Sequence, residues 1–205
     1  MKARILTFAS EQFFTLGYSR VSTSELADHL GVSKATLYKF FPSKEALLHA
    51  VIDHFFLQVR QEIESISAQD MPGSLKVEQF LRSITSHLST VKTVALQDMQ
   101  RSMPTSYTYF EEQRRQTIRN TLLRFFEERV AEGVFRQDLD QALVVQVLIA
   151  ALQSLANPEF LSHTSYSFNE MCRIAGTIIL EGNLTEEGRH RLKTDAISFQ
   201  PSSGK

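Results

Sequence analysis

Apolar residues recur at three- and four-residue steps along most of the chain, and one-by-one alternation never lasts long enough for a strand. Ile5, Phe8, Ala9, Phe13 and Leu16 share one face of a helix predicted over about 2–16, and Gly17 lets its end turn. Leu26, Ala27 and Leu30 give a short helix one apolar stripe that stops at Gly31. A second short helix, about 34–41, starts after Ser33 and ends at Pro42, because the residue before a proline is pushed out of helical geometry. Ser43 then caps a long helix, about 44–67, whose stripe is Leu48, Ile52, Phe55, Val59, Ile63 and Ile66. At 1.5 Å per residue that rod is roughly 36 Å long. Met71-Pro72-Gly73-Ser74 breaks the pattern and is the clearest punctuation in the chain.

Further helices follow at Leu75 to Val91, Val94 to Met103, and Tyr107 to Glu132, the last ended by Gly133. Asp138 and Gln141 have the spacing of a capping box. From Ala142 to Leu155 apolar residues cover nearly every face, and Phe168 to Leu180 is almost as apolar. A helix apolar all round must be covered on all sides, and for the final helices of a modest domain a partner subunit is the natural cover. The expectation is a two-fold homodimer with Val147, Ala151, Leu155, Met171, Ile174 and Ile178 in a four-helix interface. The fold class is all-α: a three-helix N-terminal domain over 1–48, a helical domain over 49–183, and a polar, partly disordered tail over 184–205.

The N-terminal run carries the chemistry. Ser22-Thr23-Ser24-Glu25 has the serine-x-x-glutamate form of a capping box, so two capped short helices flank the turn at Gly31. That is a helix-turn-helix, in which the second helix enters the major groove with its N-terminal residues at base edges. After the cap Ser33, those residues are Lys34, Ala35 and Thr36, and Lys39 is placed to reach a base or a phosphate.

From about Arg4 to Ile52 the chain resembles the TetR (tetracycline-repressor-like) transcriptional regulators. The likeness lies in the amphipathic first helix, Gly17-Tyr18, a Thr-Ser pair before Leu26-Ala27, Gly31-Val32-Ser33, Leu37-Tyr38 and Phe41-Pro42-Ser43-Lys44-Glu45-Ala46-Leu47. Ala35 stands where many members have glycine, and a looser likeness runs over Gly133 to Asp140. The resemblance implies a ligand-responsive repressor released from a palindromic duplex operator by a small effector. It also implies phosphate contacts from Tyr38, Thr23, Ser24 and Lys44. It places an effector pocket among the helices of residues 74–155, with Phe80, Ile84, His87, Met99, Met103, Tyr107, Phe110, Phe125 and Gln153 as candidate lining. The mixture of these residues suggests that the effector is apolar or aromatic.

Composition narrows the alternatives. A chain of 205 residues with net charge −1 is long enough for a substantial core. Residues 1–50 hold six Lys/Arg against four acids, an excess too small to indicate nucleic acid by itself. The single Cys172 excludes an intrachain disulfide and reads as a small buried hydrophobe. The apolar run after Lys2 and Arg4 breaks at Ser10-Glu11-Gln12, unlike a signal peptide, and Ala142 to Leu152 is too short for the ~20 residues of a membrane span. A cytoplasmic chain is therefore expected. Walker, dinucleotide, HExxH and GxSxG motifs are missing, so the reading is a non-enzyme without cofactor or metal. His49 and Asp53 have helical i,i+4 spacing, but two ligands do not make a metal site. The charged face Glu111, Glu112, Arg114, Arg115 and Arg119 reads as solvated. Two other readings stay open: a DNA-binding structural or accessory protein of the same fold without a ligand response, and a small-molecule-binding helical protein whose N-terminal motif merely packs.

Overall fold

The computed structural model of the chain describes residues 1–155 and 164–198. Its helices are α1 (Lys2–Leu16), α2 (Thr23–Leu30), α3 (Lys34–Phe40), α4 (Lys44–Ala68), α5 (Gly73–Thr90), α6 (Thr93–Ser102) and α7 (Pro104–Thr117). They continue through a π-helical turn (Ile118–Leu122) to α8 (Leu123–Ala131), α9 (Gln141–Leu155), α10 (Phe168–Asn183) and α11 (Glu186–Ser198). Among the described residues the extended pairing is an isolated antiparallel bridge between Phe135 and Leu184, so the all-α expectation holds.

Two compact units divide the chain, one of Met1–Arg60 with His87–Thr117, the other of Gln61–Ser86 with Ile118 onward. These units differ in extent from the division at 48/49 expected from the sequence. Residues 87–117 join the first unit because Met99 and Phe110 are buried in the same core as Ile5, Phe13, Leu26, Leu37 and Leu48. Helices α4 and α5 each contribute residues to both units.

In the first unit, Phe14 meets Phe55 edge-on at 5.2 Å between ring centroids, and Phe56 meets Phe110 at 5.1 Å. The short helices form as their local signals demand. The Ser22–Glu25 capping box is made, and Gly31 takes the left-handed φ of 67° that closes α2. Ser33 Oγ accepts from Thr36 N at 3.0 Å at the start of α3, and Ser43 Oγ accepts from Ala46 N at 2.9 Å at the start of α4.

The second unit packs around Phe80, which stacks on Phe125 at 4.5 Å and meets Phe126 edge-on. Arg129 is buried beside the Phe125 ring and reaches Glu132 at 2.8 Å. Gln141 and Asn183, both buried, exchange amide hydrogen bonds of 2.9 and 3.3 Å, tying the start of α9 to the end of α10. The capping box expected from Asp138 is not formed. Asp138 pairs with Arg136 at 2.6 Å, and Asp140 instead accepts from Ala142 N at 2.9 Å.

The tail expected from residue 184 onward is a helix as far as Ser198. Gly188 N donates to Thr185 Oγ1 at 2.8 Å, and the acids Glu186 and Glu187 occupy the first turn, where the helix dipole favours negative charge. The expectation of disorder at Pro201 to Lys205 lies outside the described residues.

Cys172 is fully buried in α10, and burial pushes its thiol up to about 11. That rise leaves on the order of a hundredfold less thiolate than an unperturbed cysteine at the same pH. The native protein should therefore resist a disulfide reagent at pH 8, and the unfolded chain should react at once. Fast labelling of the native protein would contradict this burial.

Candidate nucleic-acid interface

Helix α3 is held by its inner face. Leu37 is buried, as is the capping residue Phe41, and the Lys2 ammonium lies 5.8 Å from the centre of the Phe41 ring. Its outer face is open: Ser33, Lys34, Ala35 and Lys39 are exposed, with Ala35 and Lys39 one turn apart. Thr36 is half-buried, and its hydroxyl lies 2.8 Å from Ser33 Oγ, so it belongs to the cap as well as to the helix surface.

Two of the residues expected at phosphates come together. Tyr38 from α3 and Thr23 from the first turn of α2 bring their hydroxyls within 3.2 Å, with Thr23 buried and Tyr38 half-buried. Ser24 next to them is exposed, and its N–H closes on Ser22 Oγ at 3.2 Å.

Lys44 sits differently from its expected role at the DNA backbone. Its ammonium donates to the Tyr18 carbonyl at 2.5 Å and lies 4.1 Å from the centre of the Tyr18 ring. Burial lowers its pKa, against the opposing pull of Asp98 and Tyr38. In this structure the charge is directed into the first unit.

The α1–α2 turn carries a second set of contacts that sequence spacing does not reveal. Ser19 N donates to Asp98 at 2.8 Å, and Ser19 Oγ donates to Ser102 Oγ at 2.9 Å. These partners lie 79 and 83 residues away, far beyond the reach of any local motif.

The nine candidate lining residues do not share one unit. His87, Met99, Met103, Tyr107 and Phe110 belong to the first, and Phe80, Ile84, Phe125 and Gln153 to the second. Met99, Phe110, Phe80, Ile84 and Phe125 are buried, and Met99 and Phe110 are core members of the first unit. His87 packs edge-on to Phe55 at 5.7 Å. The second unit has a groove of about 510 Å³ lined by Ile66 and the polar residues Glu62, Ser65, Gln69, Gln79, Arg82, Ser83 and Ser86, a set that includes none of the nine.

Of the residues proposed for pairing, Val147, Ile174 and Ile178 are exposed, Ala151 and Leu155 half-buried, and Met171 buried. Leu143, one turn from Val147, is exposed as well.

The His49–Asp53 pair is occupied by protein. His49 Nε2 lies 3.0 Å from Ser106 Oγ and its ring stacks on Tyr109, whose hydroxyl donates to Asp53 at 2.5 Å. The described residues contain no cluster of three metal-ligating side chains. No helix among them is long and apolar enough to cross a membrane.

The Asp53 hydrogen bond, with burial and the Asp53 charge, raises the Tyr109 phenol to about 12. A raised folded-state pKa means that the contact stabilises fully below the unfolded value near 10 and is lost as pH climbs through about 12. Tyr109→Phe should lower unfolding free energy at pH 7 by about 0.5–1 kcal/mol, a modest cost where solvent screens the pair. The difference between parent and variant ultraviolet titrations should centre near pH 12. A difference centred near 10 would contradict the contact.

Residues 5–51 match the bacterial regulatory proteins of the tetR family. The uncharacterized HTH-type transcriptional regulator YuxN of Bacillus subtilis is 30% identical over 122 residues, 59% of this chain and 41% of that one. The HTH-type transcriptional regulator NfxB of Pseudomonas aeruginosa is 28% identical over 140 residues, 68% of this chain and 73% of that one. The chain thus spans less than half of YuxN and about three quarters of NfxB. The crystal structure of PfmR, a TetR family transcriptional regulator from Thermus thermophilus, superposes with a TM-score of 0.60 over 87% of this chain and 97% of that one. At 24% identity that likeness speaks for the fold. The capped helix pair lies inside the segment that matches the tetR family of bacterial regulatory proteins, so it is over residues 5–51 that the chain is similar to that family.

Proposed function

We propose that the chain is a sequence-specific DNA-binding transcriptional regulator that reads duplex DNA through α3 and works as a homodimer. The observation that carries the reading is the division of α3 into a buried face at Leu37 and an open face of Ser33, Lys34, Ala35 and Lys39, on a helix capped to present its first turn. The hydroxyls of Thr23 and Tyr38, with exposed Ser24 at the start of α2, supply neutral donors for a phosphate beside that turn. The exposed apolar side chains of Leu143, Val147, Ile174 and Ile178 suit burial against a second copy, and two copies would read a two-fold site. The finer reading is a repressor released by a small apolar or aromatic effector. It rests on the family and on the aromatic content of the helices beyond residue 74.

Selection from a random duplex pool should return a palindrome with half-site centres about 34–36 Å apart or a multiple. Lys34→Ala should cost about 1–3 kcal/mol and change the preferred bases if it reads a base edge; a phosphate contact would instead lower the salt slope by about 0.9 with no change of preference. A pool that yields no enriched duplex would count against DNA binding. Ile178→Glu should give a folded monomer with weakened operator binding, measured by sedimentation and titration. A parent protein that is monomeric at micromolar concentration would remove the dimer.

A further inference from the structure

We propose that Asp98 is a positioning residue for DNA binding: from α6 its carboxylate fixes the α1–α2 turn, and through that turn the placement of α2 and α3. The inference rests on the DNA-binding reading above and adds a residue far in sequence from the matched segment.

The turn has little of its own to hold it. Gly17 closes α1 by donating to Phe13 O at 3.1 Å, and its φ of 94° belongs to the region that side chains rarely adopt. The next two residues then take their polar partners from elsewhere in the first unit. The Tyr18 carbonyl accepts from Lys44, and Ser19 N donates to Asp98 Oδ2 at 2.8 Å. Ser19 Oγ donates to Ser102 Oγ, which donates in turn to Asp98 Oδ1 at 3.4 Å. A backbone N–H on a carboxylate is a charge-assisted bond, among the stronger that a turn can make.

Close packing reinforces the hydrogen bonds. A Cβ on Gly17 would lie 3.0 Å from Asp98 Oδ2 and 3.1 Å from its Cβ, so the carboxylate is seated against bare backbone. Lys92 N, just before α6, donates to Phe14 O at 2.9 Å and occupies an end carbonyl of α1. The segment 92–102 therefore grips both the last turn of α1 and the chain leaving it.

The carboxylate is held in its charged form. Burial works against the charge, but the Ser19 N–H, the Ser102 hydroxyl and nearby Lys44 together bring the Asp98 pKa below its ordinary value. Lys44 is the first residue of α4 and itself binds the turn, so opposite charges from α6 and α4 meet at residues 17–19. Only two residues, Arg20 and Val21, separate this clasp from the Ser22 cap of α2. An error in the turn is therefore passed on to α2 and α3.

The test uses the full-length chain and the palindrome selected by the parent. Asp98→Ala should weaken binding about tenfold or more at temperatures well below its melting transition, with the salt slope unchanged because no phosphate contact is lost. The Ser19 amide should exchange with solvent markedly faster. Asp98→Asn keeps an acceptor for Ser19 N and should recover much of the affinity. A purely structural residue would lower the melting temperature and leave the affinity of the folded protein intact. Parent-like operator affinity or parent-like Ser19 exchange in Asp98→Ala would overturn the proposal, as would an Asp98→Asn protein no better than Asp98→Ala. A parent that selects no duplex removes the DNA-binding reading and this proposal with it; failure of Asp98 alone leaves the parent binding intact.

Discussion

A seven-residue helix makes too few internal hydrogen bonds to persist in water, so α3 depends on Leu37 staying buried. Everything else in the first unit can be read as the socket for that side chain. Helix α2 lies against it, Phe41 fills the space at its end, and the aromatic core behind them supplies a surface that does not give. Because Leu37 and Phe41 carry the packing, the residues on the outer face carry none. Lys34, Ala35 and Lys39 are thus free to be whatever a partner requires, which is the physical condition for a short helix to carry specificity.

Features legible in the sequence were those whose partners lie within four residues. The Ser22–Glu25 box, the left-handed Gly31, the Ser33 cap and the stop at Pro42 are local geometries, and each forms where its spacing placed it. The unread features depend on competition or distance. Asp138 had the right spacing for a cap, but Arg136 captures it, and the Gln141 amide is drawn toward Asn183, 42 residues away. The polar stretch after Asn183 reads as a tail by composition, whereas its helix is set by one threonine cap, two first-turn acids and the Arg191–Glu187 pair.

The same distinction separates the residues of the candidate interface. Backbone position follows from the caps, so the exposure of Lys34 and Lys39 could be anticipated. A long side chain is another matter. Lys44 begins α4 where its sequence position puts it, yet four methylenes let its ammonium turn to the Tyr18 carbonyl. The pocket candidates could not be sorted by spacing for a related reason: aromatic residues at helical spacing serve a solid core as well as a cavity lining. Phe80 stacked on Phe125 is core.

Helices α9 and α10 show what an all-round apolar helix does in a single chain. Val145, Leu148, Leu152, Cys172 and Leu180 are buried, and α9 packs on α10. On the same two helices Leu143 is 58% exposed, Val147 49%, Ile174 41% and Ile178 67%. Each such side chain gains about 1.5–3 kcal/mol when fully buried, so leaving four in water on neighbouring helices has a cumulative cost. In the first unit the large exposed apolar residues, Met1, Leu16, Phe40, Leu57 and Val94, are spread over the N-terminal residue and four helices, as on any protein surface. Concentration on two packed helices is the distinguishing mark, because apolar side chains gathered there can be covered together by one partner.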